Sequence, residues 1–90
     1  MPRYVIERNI PGAGKLTDKE IQGISKKSCT IIDGMKGAVQ WEHSYVTGDK
    51  LYCVYIAKGE ADVREHAKRG GFPADSVVQV RRVIDPTTAE

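Results

Sequence analysis

Two segments rich in aromatic and β-branched residues, Val39 to Val46 (VQWEHSYV) and Leu51 to Ala57 (LYCVYIA), flank Thr47-Gly48-Asp49-Lys50. The linking residues have turn chemistry, so the chain folds back here as an antiparallel hairpin. An isolated hairpin is marginal in water. It needs neighbours, and the rest of the 90 residues must supply them.

On the N-terminal side, Tyr4-Val5-Ile6 reads as a short strand closed by Glu7-Arg8, and Pro11-Gly12-Ala13-Gly14 breaks it. Thr17-Asp18-Lys19-Glu20 has the capping-box pattern that starts a helix. Ile21, Ile24, Ser28 and Ile31 or Ile32 then recur at helical spacing, which predicts an amphipathic helix ending near Asp33-Gly34. After the hairpin, Gly59-Glu60 opens a second helix that turns Ala61, Val63 and Ala67 inward until Gly70-Gly71 supplies a left-handed stop. Ser76 to Ile84 (SVVQVRRVI) reads as the last strand, ended by Asp85-Pro86.

The order β, α, β, β, α, β predicts an α+β, ferredoxin-like sandwich: a four-stranded antiparallel sheet with both helices on one face. Residues 1–86 make one such domain, and 87–90 form a tail. Neither side of the last strand is a clear water face, so the sheet surface opposite the helices needs a cover. A second copy of the chain is the simplest one, and a homodimer is expected.

The hairpin register decides which side chains share a face. With Gly48-Asp49 as a two-residue turn, Trp41, His43 and Tyr45 join Tyr52, Val54 and Ile56, while Glu42 and Ser44 join Cys53 and Tyr55. A three-residue turn would set His43 across from Cys53. We take the first register, with Val54 and Ile56 as an aliphatic floor under the helices and Glu42, Ser44 and Cys53 on the open face.

Composition narrows the function classes. Fourteen Lys and Arg against twelve Asp and Glu leave a net charge of +2, with only Lys26-Lys27 and Arg81-Arg82 as basic pairs, so no nucleic acid partner is expected. No apolar run approaches the roughly 20 residues that span a bilayer. The opening MPRYVIER lacks the apolar core of a secretory signal, so a cytoplasmic protein without a membrane partner is expected. Cys29 and Cys53 match no zinc spacing and are read as thiols. PGAGK lacks the full phosphate-loop pattern, since Gly14-Lys15 is followed by Leu16, and reads as a turn into the first helix.

The predicted topology gathers the end of strand one, the hairpin turn and the C-terminal half of helix two at one end of the domain. Glu7, His43, Ser44, Tyr45, Cys53 and His66 fall near that end. Imidazole and carboxylate are ligands of borderline divalent metals. His66, three residues after Val63, flanks the buried stripe and reads as a hydrogen-bonded edge residue, a metal ligand or an acid-base group. His43 packs or ligates; Glu7 is an exposed charge or a co-ligand; Cys53 is a small buried hydrophobe.

Three blocks, MPRYVIERNIPGAGKLT, WEHSYVTGDKLYCVYIA and REHAKRGGFPADSVVQVRRVIDPTTAE, together resemble a family of small bacterial proteins of formerly unknown function. Some of its members are called nickel-binding proteins, and they form ferredoxin-like dimers. The resemblance implies a dimer that binds nickel or a similar divalent ion and sequesters or senses it. The matching positions are Glu7, Glu42, Ser44, Glu65 and His66, whereas His43 departs from the pattern and could add a second imidazole. The expected metal set is therefore His66 with Glu7 or Glu42, joined by His43, water or the partner subunit. Two other readings compete: a small dimeric enzyme acting on an organic molecule, with Tyr45, His43 and His66 moving protons, and a non-catalytic interaction module.

Overall fold

In the computed structural model, which describes residues 1–90, four strands form one antiparallel sheet in the order β2-β3-β1-β4. They are β1 (Arg3–Asn9), β2 (Val39–Val46), β3 (Lys50–Ala57) and β4 (Ser76–Gln79), with α1 (Asp18–Asp33) following β1 and α2 (Glu60–Gly70) following β3. This is the ferredoxin-like plan expected from the element order. The Thr17 hydroxyl accepts the Glu20 amide at 3.1 Å while the Glu20 carboxylate accepts the Thr17 amide at 3.0 Å, so α1 starts where the capping box places it. Gly71 closes α2 at φ 67°, a left-handed conformation in which its amide reaches the last turn of the helix.

The last strand is shorter than its apolar run. Tyr4 faces Gln79, and the Val80 amide still donates to the Arg3 carbonyl at 2.8 Å. Beyond that point β1, the sole neighbour of β4, offers no further ladder, because the residue before Arg3 is a proline with no amide to donate. Residues 81–90 are exposed, with one short turn of 3-10 helix over Pro86–Ala89.

The hairpin uses the two-residue turn, so Tyr45 faces Tyr52 and Ser44 faces Cys53. Which face turns toward the helices is the reverse of the expectation. Tyr4, Ile6 and Arg8 of β1 are buried with Cys53, Tyr55 and Ala57 of β3, whereas Val54, Ile56 and Tyr52 lie on the outer face and are only half-buried. The aromatic Tyr4 and Tyr55, and not Val54 and Ile56, fill the space beside Ile6, Val39 and Val63 in the core. A bulge between Trp41 and His43 adds a second departure: Trp41 pairs with Tyr55 on the helix side, while His43 pairs with Val54 on the outer side.

Candidate functional site

The outer face of the sheet carries three of the four expected ligands. Glu7 sits in the row Tyr45–Tyr52–Glu7 across β2, β3 and β1. Its carboxylate accepts from Lys50 Nζ and from the Tyr52 hydroxyl, each at 3.1 Å. Those two hydrogen bonds, Lys50 first, and then the charge of Lys50 hold the carboxyl below its usual range. Glu42 occupies the bulge and accepts from Arg3 Nε at 2.8 Å. His43 is exposed, its ring edge-on to Tyr45 with centroids 5.1 Å apart.

His66 does not join them. Val63, His66, Ala67 and Gly70 form the buried stripe of α2, so the ring lies at the centre of that face rather than at its edge, with 0% exposure. Its Nε2 and the Ser28 hydroxyl are 2.9 Å apart, and its Nδ1 has no partner. The tautomer with hydrogen on Nε2 leaves an unpaired acceptor rather than an unpaired donor, the less costly choice. Tyr55 and Phe72 flank the ring at 5.2 and 5.6 Å. Burial, and secondarily the positive charge of Arg8, push its pKa down to about 4, so the ring is neutral near pH 7. Glu65 turns away and pairs with Arg69 at 2.7 Å.

Arg8 is the residue that sequence reasoning missed. It was read as a charge ending a strand, yet it follows Tyr4 and Ile6 on the same strand face and is only 2% exposed. Period-two alternation alone placed it inside. Its Nε donates to Cys53 Sγ at 3.4 Å, one terminal nitrogen to the Tyr55 hydroxyl at 3.3 Å, and the other to the Pro73 carbonyl. Burial raises the Tyr55 pKa, as does neighbouring Cys53, while Arg8 and Ser28 pull it back. Arg8, Tyr55, Cys53 and Ser28 border a cavity of about 200 Å³ between α1 and the β2–β3 half of the sheet.

Residues 4–80 match the family described as "Nickel responsive protein SCO4226-like". The chain belongs to this family. A solved structure, the crystal structure of SCO4226 from Streptomyces coelicolor A3(2), superimposes with a TM-score of 0.77, covering 91% of this chain and 99% of that one. Sequence identity is 14%, so the likeness establishes a shared ferredoxin-like fold. No curated protein matches the sequence.

For a nickel-responsive family, the donor set within one chain is thin. No three His, Cys, Asp or Glu side chains converge. Glu7 and Glu42 are each held by a cation, and the buried imidazole has no acid acting on it. A site closed by one chain alone does not fit these residues. No helix is long and apolar enough to cross a membrane.

Proposed function

We propose that this SCO4226-like protein binds nickel or a similar divalent ion as a cytoplasmic homodimer, taking the ion on the outer face of its sheet and so sequestering or sensing it. The observation that carries the reading is the placement of an exposed His43 and an exposed Glu42 at neighbouring positions of the β2 bulge, in a chain of a nickel-responsive family. Imidazole nitrogen and carboxylate oxygen suit such an ion. Exposed ion pairs like Arg3–Glu42 and Lys50–Glu7 are weak, so a divalent ion can take either carboxylate from its cation.

Two donors leave coordination positions to be filled by water or a second copy. Val5, Val54, Ile56 and Val78 make the middle of the outer face apolar, with Val78 55% exposed, and sheet-to-sheet packing of two copies would bury them. Such packing places both copies of His43 at one interface. Nickel titration of untagged protein by calorimetry tests the assignment. His43→Ala loses about tenfold or more in affinity, while His66→Gln retains it. Unchanged binding by His43→Ala removes the outer face from consideration.

The second reading, a small enzyme, draws on the cavity under α1. Tyr45 and His43 lie on the opposite side of the sheet from that cavity, so the proton-transfer set of Tyr45, His43 and His66 does not assemble.

A further inference from the structure

The cavity under α1 contains a charge without a counter-charge. None of the ion pairs in the chain involves Arg8, and all three groups that accept its hydrogen bonds, Cys53 Sγ, the Tyr55 hydroxyl and the Pro73 carbonyl, are uncharged in their ordinary forms. A guanidinium has five N–H donors, so one on each terminal nitrogen is left over. Unlike a buried lysine, it does not discard its charge to escape burial. Phe72 and Tyr55 stand beside it, ring centroids 5.5 and 5.9 Å from Cζ, and shield it from water.

Apart from the hydroxyls of Ser25, Ser28 and Ser44, the rest of the cavity lining is apolar. Ile21 and Ile24 of α1 turn toward the sheet without closing on it, and Ser28 is the one buried residue of that helix. Leu51 and Trp41 form the floor, and Ser25 sits at the helix wall, half-buried. At about 200 Å³ the space is smaller than the roughly 300–1,000 Å³ that hold drug-sized ligands, so its occupant is small.

We propose that this cavity binds a small apolar monocarboxylate, its carboxylate on the free N–H groups of Arg8 and its hydrocarbon body along Ile21, Ile24 and Leu51. A carboxylate matches the planar fork of the guanidinium and supplies the missing negative charge. The site is independent of the proposed metal face, because it opens on the other side of the sheet.

Octanoate, 1-octanol and octyl phosphate, titrated separately into the full chain and followed by amide NMR shifts, test the assignment. Octanoate binds about tenfold or more tightly than the uncharged alcohol, and Ser25→Phe, which fills the cavity from the helix, weakens octanoate by a similar factor. Arg8→Met brings octanoate down to the level of the alcohol. Equal binding of acid and alcohol by the wild-type chain, octanoate binding untouched by Ser25→Phe, or no octanoate binding up to its solubility overturns the proposal. Tighter binding of octyl phosphate than of octanoate overturns the carboxylate assignment. Should Arg8→Met fail to fold, the wild-type acid-to-alcohol ratio and Ser25→Phe decide the matter without it.

Discussion

His66 makes the fold sensitive to acid. In the unfolded chain the imidazole binds a proton below its ordinary 6.5; in the folded chain it stays neutral until about 4. Between those values the unfolded state holds one more proton than the native state, so stability falls as pH falls. The slope approaches about 1.4 kcal/mol per pH unit, so most of a total of about 3 kcal/mol is lost between pH 7.5 and 4.5. That is a large share of the roughly 5–15 kcal/mol that holds a domain together. The stabilisation is present above 6.5 and gone below about 4.

Other groups titrate in the same limb, so the comparison must be differential. The carboxyls of Glu7, Glu20, Glu65 and Asp85 are all held below their ordinary values, and each contributes stability that disappears as it is protonated. His66→Gln leaves those surface groups alone, keeps a polar atom near Ser28 and removes the titration. Urea unfolding of both proteins by circular dichroism, from about pH 7.5 to about pH 4.5, should show the wild type losing about 2–3 kcal/mol more than the variant. A stability difference between them that stays constant across that range refutes the account. It would mean that the ring takes up its proton in the native state as readily as in the unfolded one.

Gly70 is the next sensitive point, because a Cβ there would run into the Phe72 ring, which packs on both His66 and Arg8. Gly70→Ala is expected to cost about 1–3 kcal/mol in urea unfolding and to shift the Phe72 ring resonances. On the outer face, Val54→Lys puts a charge between His43 and Val5 and is expected to turn a dimer into a monomer in size-exclusion chromatography. A wild-type chain that already elutes as a monomer refutes the sheet-to-sheet assembly.

Element order, helix caps and hairpin turn were legible because each rests on local chemistry: Thr17 and Glu20 satisfy each other's amides, Gly71 accepts a positive φ, and Gly48-Asp49 makes a tight turn. The end of β4 was not, since the strand-forming residues after Val80 stop pairing where β1 ends at Arg3 and Pro2 has no amide to donate. Orientation of the sheet was misjudged for a related reason. Choosing a face by aliphatic content favoured Val54 and Ile56, but Tyr55 can be buried at modest cost when Arg8 donates to its hydroxyl. His66 could have been placed correctly from spacing, since Val63, His66, Ala67 and Gly70 define a helical face together.

One extra residue in β2 separates the two proposed sites. With strict alternation, Trp41 and His43 would share a face, and either the indole would lie outside or the imidazole would enter the cavity side. The bulge at Glu42 instead sends Trp41 inward beside Tyr55 and leaves His43 outside beside Glu42, while the Trp41 indole N–H is satisfied by Ser44 at 2.9 Å. The same insertion therefore furnishes an apolar floor for the cavity on one side and an accessible nitrogen next to a carboxylate on the other. Since β3 supplies Cys53 and Tyr55 to the first and Tyr52 and Val54 to the second, the sheet is the wall the two sites share. Any effect of binding on one side upon the other would have to pass through that wall, in which every pairing partner of β3 is already fixed, so the two sites are expected to fill independently.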